Sequence, residues 1–186
     1  MRADALKNRL RLLGAAVDLI LEVGGEPARE AIAERAGVGI GTLYRHFPDR
    51  QALLHAVVRH VLEASVSAGE DCLETIPDAT EALQRYMHSA LENGIGVVNM
   101  MYPLLEKPEW SDLRTRADIL LNSLVERALQ NGGLRSDLSK RDIVYALIRF
   151  GRPVALGMPL DEERALSHRH LDIYIDGLRT KCGRFR

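Results

Sequence analysis

Side chains suited to holding an anion concentrate in one short stretch of this 186-residue chain, Gly39-Ile-Gly-Thr-Leu-Tyr-Arg-His-Phe47. Thr42 and Tyr44 bring hydroxyls, His46 an imidazole and Arg45 a guanidinium; all suit phosphate oxygens, and Arg45 can also reach a guanine edge. Gly39 and Gly41 have no side chains, so the start of this segment can approach a partner closely, and the free amides there favour an anion. Nucleophilic and metal chemistry find less support. Ser167 directly precedes His168, and neighbours in a helix diverge, so no triad forms; His168 and His170 are two apart, face different sides and read as solvated surface. No Glu-x-x-His of the kind a di-iron bundle needs occurs. A helical-bundle enzyme or metal-binding protein is therefore the rival reading, and neither metal nor cofactor is expected.

Two short helices must position that stretch. The sequence predicts one over about Ala28–Ala36, a tight turn at Gly37, and a second over about Ile40–Phe47. Helices of two turns are not stable alone. They must be held by Ile32, Ala36, Val38, Leu43 and Phe47 against a first helix striped with Leu6, Leu10, Leu13, Val17 and Leu21 and against a long one beginning at Pro48-Asp49. Asp49 is a good N-cap for that long helix, which carries Leu53, Leu54, Val57, Val58, Val61 and Ser65 on one side. Packed this way, the second short helix turns Gly39, Ile40, Thr42, Tyr44, Arg45 and His46 outward.

The remainder keeps the helical period. A helix opens at Pro77-Asp78 and runs to Asn93-Gly94; Ile95–Glu106 is apolar but broken by Pro103; Trp110–Gln130 forms a clean stripe. A Ser139-x-x-Asp142 capping box opens a two-striped helix to Leu156, with a kink expected at Pro153, and Asp161 caps a last helix to Thr180. No alternating strand pattern appears. The fold class is all-α, about nine helices, with a three-helix helix-turn-helix head in residues 1–48 and a helical body in residues 49–186.

Composition agrees with this layout. Apolar residues make up 46% and charged residues 27%, the balance of an ordinary soluble domain. Net charge is −1, but residues 1–60 hold nine Lys/Arg against seven Asp/Glu, while the remainder holds sixteen against nineteen. The sign favours an anionic partner for the N-terminal part. Cys72 and Cys182 are far apart and read as incidental thiols of a reducing compartment. Asp4 and the Lys7/Arg9/Arg11 series interrupt any signal peptide, and Ile95–Leu105 is too short to span a bilayer. A cytoplasmic protein without membrane contact is expected.

Ala33–Phe47, followed by Pro48-Asp-Arg-Gln-Ala-Leu53, resembles the N-terminal head of the TetR family of transcriptional regulators, in which Gly-Thr-Leu-Tyr-x-His-Phe ends the recognition helix. The resemblance covers roughly residues 6–60. It implies that Thr42, Tyr44 and His46 contact the DNA backbone and that Gly39, Ile40 and Arg45 face the major groove, while Gly39 and Gly41, without side chains, let the start of the helix approach the DNA closely. Two departures stand out. Gly39-Ile40 replaces a common Ser-Lys pair, removing a usual phosphate contact, and Pro27-Ala28 replaces a common threonine cap, with Arg29 as the substitute backbone contact.

The resemblance further implies a double-stranded DNA operator of near-palindromic sequence, read by a homodimer as a repressor that a small molecule releases. The last two helices are the expected interface, because each has more apolar surface than one core needs and Gly151 and Gly177 permit close approach; the alternative is that they only close the monomer's own core. Candidate effector contacts are Met87, Met100, Met101, Tyr102, Trp110, Leu120 and Tyr145, near the break at Pro103, although such residues are also ordinary core. Few charges interrupt Ile95–Leu105, which favours an apolar effector.

Overall fold

A computed structural model describes residues 2–107, 110–154 and 157–179. Among them the chain forms nine α-helices and a single 3-10 turn: α1 Arg2–Val23, α2 Arg29–Arg35, α3 Ile40–His46, α4 Arg50–Thr75, α5 Ala79–Glu92, α6 Ile95–Met101, the 3-10 turn Tyr102–Leu104, α7 Ser111–Gln130, α8 Lys140–Phe150 and α9 Leu160–Leu178. The one β-type pairing among the described residues is an isolated bridge between Leu134 and Arg179.

Several helices begin where a side chain satisfies the free amides of the first turn. Asp49 Oδ1 accepts from the Ala52 N–H at 2.7 Å, and Asp78 Oδ1 from the Glu81 N–H at 2.7 Å. At α8 the Asp142 carboxylate accepts from both the N–H (2.8 Å) and the hydroxyl (2.6 Å) of Ser139 and closes the capping box.

One apolar core joins the head, α1 to α3, to the body. Ile20 of α1, Ile32 of α2, Leu43 and Phe47 around α3, and Val58 of α4 are all at most 1% exposed and belong to the same cluster as Met87, Leu124 and Ile143. The first turns of α1 depart from the expected stripe. Leu13, Val17 and Leu21 are buried, but Leu6 and Leu10 are 59% and 48% exposed, because α1 extends past the short helices it packs on.

The C-terminal elements also differ from expectation. Helix α8 stops at Phe150, where the Gly151 N–H closes onto the Leu147 carbonyl at 2.9 Å, so Pro153 follows the helix and does not kink it. The expected end at Leu156 lies outside the described residues. Gly151 packs inside the chain against Gly96 at the start of α6: a Cβ on Gly151 would sit 3.0 Å from the Gly96 nitrogen, and one on Gly96 would sit 1.8 Å from the Gly151 carbonyl oxygen. Pro159 precedes α9, placing Asp161 in its first turn, where its charge complements the positive end of the helix dipole without capping. The helix ends at Leu178; Thr180 and Cys182 lie outside the described residues, while Cys72 is a buried free thiol.

Candidate nucleic-acid interface and body cavity

The geometry of the head turns on Gly37. Its φ of +63° is a left-handed conformation, and the Arg11 guanidinium lies over it, 2.7 Å from where a Cβ would stand. Hydrogen bonds from Gly37 N–H to Glu34 O (2.9 Å) and from Val38 N–H to Ala33 O (3.0 Å) close the turn and swing α3 away from α2. Leu43 and Phe47 then anchor α3 in the core, with the Arg9 guanidinium 4.6 Å above the Phe47 ring.

With that side fixed, Gly39, Ile40, Gly41, Tyr44 and Arg45 are exposed, and Thr42 and His46 are half-buried. Gly39 and Gly41 have nothing within 4 Å of a notional Cβ, so internal packing does not demand glycine at either position. Arg29 reaches from α2 to lie 5.2 Å over the Tyr44 ring, which brings the expected substitute contact onto the same surface. Arg45 Nε donates to the Gly41 carbonyl at 3.2 Å.

Ion pairs sort the charges of the head. Arg35 grips Glu22 through two 2.8 Å bonds, tying α1 to α2 and holding the Glu22 carboxyl below its ordinary range. Arg50 grips Glu26 at 2.6–2.9 Å, tying the start of α4 to the loop before α2. Two acids are thereby neutralised, while Arg29 rests on a ring and Arg45 on a carbonyl, leaving both charges available to an external anion.

In the body, α4, α5, α6, the 3-10 turn, α7 and α8 line a partly open cavity of about 320 Å³ with mainly apolar walls, among them Leu62, Val66, Tyr86, Val98, Leu121 and Ile148. Of the seven residues expected to contact an effector, Tyr102 is on this wall. Met87, Met101, Trp110 and Leu120 are enclosed in the core, Met100 packs half-buried against it, and Tyr145 points to solvent. The polar residues on the wall, Ser65, Asn99 and Asp118, were not anticipated as contacts. Ser65 gave a signal, a hydroxyl within the apolar stripe of α4. Burial pushes the Tyr86 hydroxyl up to about 12, so it stays protonated. A larger groove of about 570 Å³ runs beside α5, but its lining of Glu81, Arg85 and Arg179 offers little apolar contact.

His168 is not solvated surface. Its ring stacks on His88 of α5 with centroids 5.0 Å apart, and the facing Nδ1 atoms are 2.7 Å apart. The outer Nε2 atoms meet carboxylates, His88 with Asp172 at 2.9 Å and His168 with Glu92 at 2.6 Å. The cluster clasps α5 to α9. No group of three or more metal-ligating side chains placed to share an ion occurs among the described residues.

Known proteins resemble this chain over both its parts. Residues 12–57 match the family described as bacterial regulatory proteins, tetR family. The HTH-type transcriptional repressor LfrR of Mycolicibacterium smegmatis is 31% identical over 156 residues, 82% of each chain. Among solved structures, a TetR transcriptional regulator from Streptomyces coelicolor superposes with a TM-score of 0.67 and 28% identity, over 94% of this chain and 99% of that one. LfrR from Mycobacterium smegmatis in complex with proflavine superposes with a TM-score of 0.62 and 26% identity, over 89% and 94% of the respective chains.

Proposed function

This chain belongs to the TetR family of bacterial transcriptional regulators, and from that premise we propose that it is a homodimeric repressor released from a palindromic operator by a small apolar effector. Its relatives are DNA-binding regulators, so the helical-bundle enzyme reading is set aside. No helix among the described residues is long and apolar enough to cross a membrane, and the proposed place of action is the cytoplasm, beside the chromosome.

The observation that carries the reading is the division of α3 into an anchored and a displayed side. Leu43 and Phe47 are at most 1% exposed, while Ile40, Tyr44 and Arg45 stand in solvent with the charge of Arg29 alongside. In this reading Thr42, Tyr44, His46 and Arg29 hold phosphates and fix the register. Gly39, Ile40, Gly41 and Arg45 meet the floor of the major groove, and the bare glycines let the backbone come close.

A second copy doubles the contacts. Tyr145 of α8 and Ile173 of α9 are 51% and 62% exposed, apolar surface that the monomer leaves unused, and Gly177 has open space around it. Pairing these helices across a two-fold axis makes a four-helix bundle and sets two α3 helices into successive major grooves, roughly 34 Å apart. The cavity lies between this bundle and the head, and an effector that prefers a different head spacing releases DNA. The proflavine held by LfrR supports a ligand of that size class for this cavity.

The reading is tested by gel shift with duplexes from the protein's own promoter region over a salt series. Wild type should bind a near-palindrome with affinity falling steeply as salt rises. The Tyr44→Ala/His46→Ala double variant should lose binding to every sequence, and unchanged binding would refute the reading.

A further inference from the structure

We infer that the body cavity selects an uncharged multi-ring compound carrying one hydrogen-bonding oxygen, which Ser65 receives. This rests on the cavity being the effector site. The walls are mainly apolar, and a space of about 320 Å³ matches a rigid molecule of three or four fused rings. The wall offers little to compensate a charge on the ligand. Asp118 is the one ionisable acid among the lining residues described, and no lysine, arginine or histidine accompanies it. Asp118 is 68% exposed and already bound to Lys140 Nζ at 2.9 Å, so it offers no unpaired buried charge. A carboxylate carried inside would exchange water for hydrocarbon without a counter-ion, and an ammonium would meet only a carboxylate that Lys140 already holds.

Ser65 supplies the polar feature. Its side chain is 3% exposed, and its hydroxyl has no hydrogen-bond partner. A helical serine ordinarily returns its hydroxyl to the carbonyl four residues back, here Val61, and this one does not. The residue sits on the cavity wall, among Leu62, Val66 and Tyr86. Its hydroxyl makes no hydrogen bond within the protein, so a ligand oxygen that reaches it from the cavity side breaks none. Asn99, half-buried on the same wall, adds an amide that can serve as donor or acceptor.

Three tricyclic probes separate the alternatives on the full-length dimer: fluorenone, its carbonyl-free counterpart fluorene, and cationic proflavine. Binding is followed by probe fluorescence or by the shift in melting temperature. Fluorenone should bind at least tenfold more tightly than fluorene, and proflavine more weakly than fluorenone. Ser65→Ala should abolish the preference of fluorenone over fluorene while leaving fluorene binding unchanged, a pattern that a general loss of folding does not give. Proflavine bound more tightly than fluorenone in wild type, or a fluorenone preference that survives Ser65→Ala, would overturn the inference and leave the effector cavity intact. Failure of the cavity reading itself looks different. Val144→Trp fills the wall, and all bound probes should then be lost; binding unaffected by that variant places the site elsewhere.

Discussion

At the scale of single residues, α3 separates groups that stabilise the head from groups held for a partner. Tyr44 belongs to both through different atoms: its ring carries the Arg29 guanidinium and its hydroxyl faces out. Tyr44→Phe keeps the ring, so thermal stability should stay within about 0.5 kcal/mol. DNA affinity should fall roughly five- to tenfold through loss of one phosphate hydrogen bond. Circular dichroism melts and fluorescence anisotropy on the same preparation check both, and a destabilised variant with unchanged affinity would place the hydroxyl inside the fold. Gly41 gives the converse case. A methyl group there meets nothing within 4 Å, and alanine in a helix gains about 1 kcal/mol over glycine. Gly41→Ala should therefore melt higher and bind the operator more weakly.

Acid sensitivity is also set at single residues. Burial lowers the His60 imidazole of α4 below its ordinary value of 6.5, the Glu63 carboxylate opposes this and the Arg9 guanidinium of α1 adds to it. The unfolded chain then takes up a proton that the folded chain resists. The stability that comes from keeping His60 neutral is complete above 6.5 and is lost as pH falls from there towards the lowered folded value. Urea unfolding of wild type and His60→Gln at about pH 7 and pH 5 measures this, and wild type should lose more stability over that interval than the variant. Equal losses would assign the slope over that interval to groups other than His60.

Among the elements, the first turn of α4 connects cavity and head. Gln51 Nε2 donates to the Leu104 carbonyl at 3.0 Å, and Gln51 Oε1 accepts from the Glu106 N–H at 3.3 Å, so one amide holds the chain just after the 3-10 turn whose Tyr102 and Pro103 line the cavity. Its neighbour Arg50 grips Glu26 ahead of α2. A ligand that displaces the 3-10 turn pulls on the same helical turn that fixes the head. Gln51→Ala should leave operator affinity and probe binding near wild type yet reduce the effect of a bound probe on operator affinity several-fold. Matched titrations with and without probe measure that coupling, and full coupling in the variant would move the route elsewhere. Asp49→Ala, which removes the cap of the same turn, should cost about 1 kcal/mol of stability.

The elements also show what was legible in the sequence. The head could be read because its signals are local: a glycine at a left-handed turn, apolar positions at helical spacing and an aspartate cap, each of which acts within a few residues. The segments around the cavity were also located, but their faces were not. Met87, Met100, Leu120 and Tyr145 each lie one position from the wall residues Tyr86, Asn99, Leu121 and Val144. A step of one residue turns a helical side chain by about 100°, and which face looks inward is decided by neighbouring helices that sequence spacing does not orient. The His88–His168 stack, 80 residues apart in sequence, was hidden for the same reason. Gly151 reads in the sequence as a point of close approach to a second copy, whereas in the fold it meets Gly96 of its own chain.

At the scale of the whole molecule, the eight contacts proposed for one head are too few to specify a site, so the proposed function calls for a second copy held at a fixed distance. The exposed Ile173, 62% accessible in the middle of α9, tests whether that copy docks there. Ile173→Asp adds a charge to a position that has no packing role in the monomer, so the folded monomer should keep its melting transition. In a two-fold interface the substitution occurs twice and sets like charges near each other across the axis, which opposes association strongly. Analytical ultracentrifugation should show wild type as a dimer and Ile173→Asp as a monomer at micromolar concentration. Operator affinity should fall by about two orders of magnitude or more, because linking two heads raises the effective concentration of the second to the millimolar range. Binding to an isolated half-site should be nearly unchanged, since α3 and the residues that carry it remain intact. A variant that stays dimeric and binds the full operator normally would remove α9 from the interface and assign Ile173 to ordinary surface.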